Sequence, residues 1–230
     1  MPPAAPAHYS APMAASPRAF ILRQTRLRPV PGLDAIRLHL ADEILPLWHA
    51  VQLETGDPDT ALPYWAFAWG GGQAVARFLG EHPEAVADRR VLDLGSGSGL
   101  AAIAAMRAGA SAVVACDIDP FAVAAIPLNA RANGVRLDVI RRDLLDEAPP
   151  DVDIVIAADT WYDAALAGRV LPWLRRAQAA GIDVLVGDPG RADLPTDALV
   201  ELAVYEVRTT TDMEDLRLTR GRVYRLGADA

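Results

Sequence analysis

A short apolar segment that ends in an acidic residue and a glycine-rich turn carries the clearest chemical signal in this chain. The turn spans residues 93–99 (DLGSGSG), and a helix-forming apolar run begins at Leu100. A strand, a turn of small residues and a helix that starts at the turn form a nucleotide site, because the first N–H groups of the helix point at the ligand. We expect the ligand to contact four turn residues, namely Gly95, Ser96, Gly97 and Gly99.

The spacing of the glycines indicates which nucleotide this turn binds. A dinucleotide site requires G-x-G-x-x-G, but the sixth position counted from Gly95 is Leu100, so this pattern is broken. Asp93 stands two residues before the first glycine, where its carboxylate would repel a pyrophosphate but would suit a free ammonium group. S-adenosylmethionine has an ammonium group and no pyrophosphate, and we therefore expect it to be the cofactor.

A second acid follows at the distance that a nucleoside requires. The apolar run 112–116 ends at Asp117, which is twenty-two residues beyond Gly95. A carboxylate about 20 residues after the glycines accepts hydrogen bonds from both ribose hydroxyls. Asp117 is therefore the predicted ribose ligand, whereas Asp119, directly before Pro120, is predicted to be the N-cap of the next helix.

The composition excludes several function classes. The chain has 230 residues, 52% of them hydrophobic, which suffices for one α/β domain with a sizeable core. It contains no lysine, so it lacks the Walker A lysine of nucleotide hydrolases and the Schiff-base lysine of pyridoxal-phosphate enzymes. Its single cysteine and four unclustered histidines predict neither a disulfide framework nor a metal site. A net charge of −8 and the lack of a long apolar run predict no nucleic-acid partner and no membrane partner.

The amino-terminal part is predicted to be an extension of one domain rather than a domain of its own. Residues 1–17 are rich in Ala, Pro and Ser and are predicted to form a disordered tail. They have neither the charged start nor the apolar core of a secretory signal, so we expect a cytoplasmic protein. Residues 18–230 are predicted to form a single domain whose N-terminal extension, 18–80, is helical, with helices at 42–52 and 73–80.

Beyond residue 90, strands and helices alternate, a pattern typical of a mainly parallel sheet covered by helices on both faces. The predicted strands lie at 90–94, 112–116, 136–140, 152–157 and 182–187. The predicted helices lie at 99–108, 120–132 and 164–180. Two further strands with no helix between them predict an antiparallel hairpin that closes the sheet, at 200–208 and 217–226.

The glycine turn and its two acids resemble those of class I S-adenosylmethionine-dependent methyltransferases. The resemblance implies a Rossmann-like α/β fold with a seven-stranded sheet of order 3-2-1-4-5-7-6, in which strand 7 is antiparallel. It also implies that Asp93 lies near the methionine moiety, that Asp117 binds the ribose and that Asp143 approaches the adenine. An aromatic residue before the first strand is predicted either to line the same cofactor site or to pack the N-terminal segment onto the sheet. Three further residues are expected at this site: Trp69, as that aromatic residue, Leu144 and Ala158.

Segments around this core resemble more closely the electron transfer flavoprotein β-subunit lysine methyltransferases. They are residues 63–73 (PYWAFAWGGGQ), 117–120 (DIDP), 159–163 (DTWYD) and 187–191 (GDPGR). The resemblance implies protein-lysine N-methylation, with the β-subunit of electron transfer flavoprotein as the protein substrate, and we expect the enzyme to be a monomer. The chain departs from the family at Thr160-Trp161, where bulkier apolar and aromatic pairs are usual.

The segment after the fourth strand of the sheet suits an amine rather than an amide. Enzymes that methylate planar amide or base nitrogens usually carry Asn/Asp-Pro-Pro-Tyr/Phe there, but residues 159–162 include no proline. An acid beside aromatic rings suits a cationic, flexible amine. We therefore predict that Asp159 and Tyr162 are catalytic and orient the lysine amine. Trp161 and Asp163 are predicted to bind the substrate, although for Asp163 the role of N-cap of the following helix is favoured.

Three other functions remain compatible with these residues. A ribosomal-protein lysine methyltransferase would use the same chemistry on another target, and a small-molecule amine methyltransferase would use it without a protein substrate. A non-catalytic cofactor-binding protein would keep the fold without turnover, although the complete set of acids and glycines argues against it.

Overall fold

The computed structural model of the protein describes residues 16–208 and 219–227. Most of the predicted tail, residues 1–15, lies outside this part of the chain, but Pro17 already begins the first helix, with Ser16 as its N-cap. The amino-terminal elements are α1 (Pro17–Gln24), β1 (Arg26–Val30), β2 (Leu33–Leu40), α2 (Ile44–Thr55) and α3 (Gly70–Glu81). A 3-10 turn at Tyr64–Ala66 precedes α3.

The alternating part of the chain forms the central sheet and its helices. Its elements are β3 (Arg90–Leu94), α4 (Leu100–Arg107), β4 (Ala112–Asp117), α5 (Pro120–Ala132), β5 (Asp138–Arg141), β6 (Ile154–Ala158), α6 (Ala164–Ala179), β7 (Asp183–Asp188), β8 (Leu199–Val207) and β9 (Thr219–Leu226). The first five strands of the sheet are parallel, and β9 pairs antiparallel with both β7 and β8. The order β5-β4-β3-β6-β7-β9-β8 is 3-2-1-4-5-7-6 when the sheet strands are numbered along the chain, so the predicted topology is confirmed.

Helices cover both faces of this sheet, as predicted. Apolar residues of α3, α4 and β2 pack on one face, whereas apolar residues of α6 pack on the other. A third apolar cluster joins α1 and α2 to the start of α5. Among residues 16–208 and 219–227, no helix combines the length and the apolar content that a membrane span needs. A cavity opens at the carboxyl ends of β3, β4 and β6, which is where open parallel sheets bind ligands.

Local capping explains which element boundaries the sequence predicted well. Helix α5 occupies the predicted range 120–132, because the Asp119 side chain accepts a hydrogen bond from the Phe121 N–H and Pro120 fixes the first helical position. The predicted N-cap role of Asp119 is therefore confirmed. Helix α3 begins at Gly70, three residues before the predicted start, since three consecutive glycines hid its first turn.

The predicted helical extension, 18–80, also contains strands at residues 26–40, which were not predicted. This segment forms a two-stranded antiparallel sheet of β1 and β2. The signal was present in β2, where Ile36, Leu38 and Leu40 are buried and alternate with exposed or half-buried residues, the period of a strand with one apolar face. Proline and arginine residues in β1 weakened that signal in its partner strand.

Candidate active site

A cavity of about 420 Å³ opens at the carboxyl ends of the parallel strands. One end lies over β3, β4 and β5 and includes the glycine turn. The other end lies over β6 and β7 and includes aromatic residues of the segment before α3. The predicted site residues that line this cavity are Trp69, Asp93, Gly95, Ser96, Gly97, Asp117, Asp143, Leu144, Ala158, Asp159 and Tyr162.

Asp93 is the penultimate residue of β3 and is almost fully buried beside the glycine turn. Its Oδ2 accepts hydrogen bonds from the Ser96 hydroxyl at 2.5 Å and from the Ala102 N–H at 3.1 Å. It thereby caps α4, whose own N-cap residue, Gly99, has no side chain to do so. Burial raises the pKa of Asp93 to about 6, although the hydrogen bond from Ser96 opposes this shift. An ionised Asp93 is therefore well suited to a cationic group of a ligand.

Asp117 fixes the glycine turn from the neighbouring strand. Its Oδ2 accepts a hydrogen bond from the Gly97 N–H at 2.8 Å, and its Oδ1 accepts one from the Asp119 N–H at 2.9 Å. Gly97 has a φ of +53°, and a Cβ added to it would meet no atom within 4 Å. The backbone at Gly97 is thus open on the cavity side, so a ligand can approach it closely. Burial raises the pKa of Asp117, against the effect of these backbone hydrogen bonds.

Gly99 shapes the turn without lining the cavity, so its predicted contact with the ligand is not supported. It has a φ of +81°, and a Cβ placed on it would lie 3.4 Å from two side-chain carbons of Ile126 in α5. Glycine is required at this position because the backbone is left-handed and packs closely against α5.

Asp143 lies beyond β5 at the far edge of the cavity. Its Oδ1 accepts a hydrogen bond from the Leu145 N–H at 3.0 Å, and its Oδ2 accepts one from Arg169 at 2.9 Å. Partial burial acts to raise the pKa of Asp143, but the hydrogen bonds from Arg169 and the Leu145 N–H, together with the charge of Arg169, outweigh it and the pKa is lowered. Arg169 also lines the cavity. Its place there was not predicted, because it lies in α6, 26 residues after Asp143.

Asp159 follows β6 with a left-handed backbone, φ +58°, which an aspartate tolerates better than most residues. Its Oδ1 accepts hydrogen bonds from the Gly71 N–H at 3.0 Å and from Arg191 at 2.7 Å. Its Oδ2 accepts one from the Gly72 N–H at 2.7 Å. Trp69, the N-cap residue of α3, makes no side-chain cap, so Asp159 caps this helix from a distant part of the chain. Burial raises the pKa of Asp159, and the charge of Arg191 opposes that shift.

Two glycines allow Asp159 to reach α3. A Cβ added to Gly71 would lie 2.3 Å from the Gly187 carbonyl oxygen and 2.8 Å from Asp159 Oδ2. A Cβ added to Gly187 would lie 2.5 Å from the Gly71 carbonyl oxygen. The start of α3 therefore rests directly on the end of β7, and only glycine fits at either position.

Arg191 also lines this end of the cavity and was not among the predicted site residues. Its backbone N–H donates to Asp188 Oδ1 at 2.7 Å, and its guanidinium donates to Asp188 Oδ2 at 3.0 Å as well as to Asp159. Burial alone would lower the pKa of Arg191, but the charges of Asp159 and Asp188 raise it. The GDPGR segment, quoted for its resemblance, was the signal that could have identified this residue.

Aromatic rings form the wall opposite Asp159. The Tyr64 and Tyr162 ring centroids are 4.9 Å apart, and the Tyr64 and Trp69 centroids are 5.6 Å apart. The Trp69 indole N–H donates to the Tyr64 carbonyl oxygen at 2.8 Å. Tyr162 is 48% exposed, and burial of the rest of its side chain, together with Tyr64, raises its pKa to about 12. Tyr64 is a further lining residue that the sequence analysis did not single out.

Two predicted substrate residues do not line the cavity. Trp161 is buried in the apolar cluster beneath α6, so its predicted contact with the substrate is corrected. The turn after β6 directs Tyr162, and not Trp161, to the surface, a choice that sequence alone does not determine. The Asp163 side chain accepts a hydrogen bond from the Leu166 N–H at 2.9 Å, so it is the N-cap of α6, the role that was favoured for it.

Known proteins resemble this chain over different extents. The chain is 39% identical to the electron transfer flavoprotein β-subunit lysine methyltransferase of Xenopus laevis over 219 residues, which is 92% of this chain and 87% of that protein. It is 39% identical to the protein of the same name in Rattus norvegicus over 168 residues, 70% of this chain and 66% of that protein. The family of ribosomal protein L11 methyltransferases matches residues 79–158.

The fold also matches a solved structure. It superposes on the ribosomal protein L11 methylase of Lactobacillus delbrueckii subsp. bulgaricus with a TM-score of 0.50 and 21% identity, over 70% of this chain and 81% of that one. At this level of identity the likeness concerns the fold alone.

Proposed function

The chain belongs to the family of electron transfer flavoprotein β-subunit lysine methyltransferases, and from that premise we propose that it methylates a lysine of the β-subunit of electron transfer flavoprotein. It is a protein-lysine methyltransferase with S-adenosylmethionine as its cofactor. The observation that carries the proposed substrate is the extent of the resemblance to the frog enzyme. That alignment covers 92% of this chain, so both ends of the cavity lie within it.

The extent of the match also separates the proposed substrate from the ribosomal alternative. The L11 methyltransferase family matches only as far as residue 158. That range contains Asp93 and Asp117, but it stops before Asp159, Tyr162 and Arg191. The match to that family model therefore covers residues at the end that binds the cofactor and gives no support for the end that would receive the substrate.

The residues over β3 and β4 fit the proposed cofactor. An ionised Asp93 lies where it can pair with the ammonium group of the methionine moiety, and the open space beside Gly97 admits a ligand closely. We propose that Asp117 binds the ribose and that Asp143, held by Arg169, faces the adenine together with Leu144. The bound cofactor supplies a methyl group already activated by its sulfonium, so the protein has to align the amine and exclude water.

At the other end we propose that Asp159 orients the lysine amine through a carboxylate lone pair that accepts no other hydrogen bond from the described residues. Each carboxylate oxygen has about two lone pairs. Among the described residues Oδ1 accepts two hydrogen bonds and Oδ2 accepts one, so Oδ2 can accept a hydrogen of the lysine amine. Arg191 offsets the charge of Asp159, which limits how strongly this carboxylate would attract a charged ammonium.

The amine has to be neutral to accept the methyl group. A lysine has a pKa of about 10.4, so removing its proton at pH 7 costs about 4–5 kcal/mol. A lone carboxylate would raise the amine pKa further, whereas burial and a nearby cation lower it. The Arg191 guanidinium and the rings of Tyr64, Tyr162 and Trp69 provide these two effects. Because the pKa of Tyr162 is about 12, its hydroxyl stays protonated at neutral pH and orients the amine instead of removing its proton.

The test compares Asp159→Asn with Asp163→Asn, a neighbouring acid that caps α6 outside the cavity. We expect Asp159→Asn to slow methylation of purified electron transfer flavoprotein β-subunit on the order of 100-fold, because the amide disturbs both the α3 cap and the amine partner. Calorimetry should show that this variant still binds S-adenosylmethionine. Asp163→Asn should methylate at close to the parent rate.

Three outcomes would contradict parts of this proposal. Near-parent activity of Asp159→Asn would refute the amine site. Loss of cofactor binding in that variant would place Asp159 in the cofactor pocket instead. A parent enzyme that labels a ribosomal protein or a small amine, and not the flavoprotein subunit, would support the corresponding alternative substrate.

We further propose that the protein is a monomer of one domain over residues 18–230 and works in the cytoplasm without nucleic-acid or membrane partners. The net charge of −8 disfavours a nucleic-acid partner. The single cysteine, Cys116, is a buried free thiol, which suits a reducing compartment.

A further inference from the structure

Two asparagines at the carboxyl end of α5 bind the edge of the hairpin formed by β1 and β2. Asn129 lies in the last turn of the helix, and Asn133, four residues on, is its C-cap residue. Asn133 accepts a hydrogen bond from the Arg37 N–H at 2.9 Å and donates one to the Arg37 carbonyl oxygen at 2.6 Å. Asn129 Oδ1 accepts one from the His39 N–H at 2.8 Å. The two side-chain amides thus pair with β2 as a neighbouring strand would.

Asn129, unlike Asn133, also forms a hydrogen bond with the glycine turn. Its Nδ2 donates to the Ser98 carbonyl oxygen at 2.8 Å, and the side chain is completely buried. Ser98 stands between Gly97 and Gly99, both of which have positive φ. Asn129 therefore holds this part of the glycine turn on one side, while Asp117 holds the Gly97 N–H on the other.

The chemistry of the contact requires an amide. One atom has to donate to a carbonyl oxygen and the other has to accept from an N–H, and the asparagine side chain does both. Aspartate has the same shape but cannot donate when ionised, so it would place a carboxylate oxygen against the Ser98 carbonyl oxygen. In a buried site this repulsion is not screened by water.

We infer that Asn129 is a positioning residue for the cofactor, and that it couples the hairpin of β1 and β2 to the glycine turn. None of the hairpin residues 26–40, all of which the structure describes, lines the cavity. Glycines with positive φ lose more freedom on ordering than other residues, so a turn that is already fixed binds its ligand more tightly. The coupling is reciprocal: cofactor binding stabilises the hairpin as the hairpin supports cofactor binding.

The test compares Asn129→Asp with Asn133→Asp. Both variants place a carboxylate at the carboxyl end of α5 against the hairpin, but only the first disturbs the glycine turn. We expect Asn129→Asp to weaken binding of S-adenosylmethionine about tenfold by calorimetry, as the loss of one buried hydrogen bond implies. Asn133→Asp should bind within about twofold of the parent. Thermal unfolding of both variants measures the loss of stability, which a purely structural role would produce in either one.

Hydrogen exchange provides a readout that needs no protein substrate. In the parent, cofactor binding should slow exchange at the Arg37 and His39 amides, and this protection should persist in Asn133→Asp and disappear in Asn129→Asp. If Asn129→Asp does not fold, Asn129→Ala removes the hydrogen bonds to Ser98 and His39 without adding a buried charge. Equal cofactor affinity in the two variants, or no cofactor-dependent protection of the hairpin in the parent, would overturn the inference. Neither result depends on which lysine or protein is methylated.

Discussion

Both ends of the cavity contain a helix capped by an aspartate side chain, but the sequence separation between cap and helix differs greatly. At each end an aspartate near the end of a strand caps a helix whose own N-cap residue cannot do so. Asp93 reaches Ala102, nine residues on, whereas Asp159 reaches Gly71 across 88 residues. The end that contains Asp93, called the cofactor end, is therefore formed by residues close in sequence. The end that contains Asp159, called the substrate end, forms only when distant segments have folded together.

The ends also differ in charge. The hydrogen-bond donors to Asp93 among the described residues are a hydroxyl and an N–H, which are neutral, whereas Asp159 pairs with Arg191 at 2.7 Å. A buried aspartate without a cationic partner is destabilised in its ionised form, so a cationic ligand gains by binding there. Under the proposed assignment, the carboxylate at the cofactor end gains a cationic partner only when the ligand binds, whereas Asp159 at the other end already has one in Arg191.

The largest expected effect is that of Gly71→Ala, which disturbs only the substrate end. Its Cβ would lie 2.3 Å from the Gly187 carbonyl oxygen and would push α3 away from β7 and Asp159. We expect the free energy of unfolding to fall by about 1–3 kcal/mol, and methylation to be lost. Folded Gly71→Ala protein should still bind S-adenosylmethionine, because its cofactor end is intact.

Gly80→Ala is the matched control for Gly71→Ala. Gly80 lies in the same helix, and a Cβ there would meet no atom within 4 Å. Alanine is the better helix former, so this variant should be up to about 1 kcal/mol more stable than the parent in denaturant unfolding. A Gly71→Ala enzyme with normal activity would show that the contact of α3 with β7 does not shape the substrate end.

A second prediction concerns the pH dependence of cofactor binding. Burial raises the pKa of Asp93 to about 6 in the free protein, and the proposed partner of the cofactor ammonium is the ionised form. Affinity should therefore rise with pH through 6 and level off above it. Between pH 5 and pH 7 the ionised fraction increases about tenfold, and calorimetry should show a similar gain in affinity.

The control for this profile is Asp119, whose pKa is also raised to about 6, mainly by burial, but which caps α5. Asp93→Asn should bind more weakly and with a flat profile from pH 5 to pH 7, whereas Asp119→Asn should keep the parent's slope. A slope that survives in Asp93→Asn and disappears in Asp119→Asn would assign the titration to Asp119 and reject Asp93 as the ammonium partner.

The difference between the ends explains how much the sequence could predict. The turn at 93–99 and Asp117 were identified because their partners are close in the chain. The alternation of elements predicted a mainly parallel sheet, and the family resemblance alone implied its strand order. Arg191 and Gly71 were quoted in motifs without a role, since nothing local says that residues 71, 159 and 191 meet. Trp161 was misplaced because a left-handed residue, Asp159, reorients the turn after β6.

The smallest expected effect is at the aromatic wall, where a single oxygen is removed. Tyr162→Phe keeps the ring against Tyr64 and loses only the hydroxyl, whose pKa of about 12 makes it a hydrogen-bonding group rather than a base. One net hydrogen bond corresponds to roughly a 2–10-fold change, so kcat/KM for the protein substrate should fall within that range while cofactor affinity stays the same. Tyr64→Phe, which keeps the same ring pair, should change kcat/KM less than about twofold. If Tyr64→Phe were the more damaging of the two, the amine would contact the segment before α3, and the substrate end would depend even more on residues distant from β6. If neither mattered, the rings alone would exclude water and Asp159 would orient the amine without a hydroxyl partner.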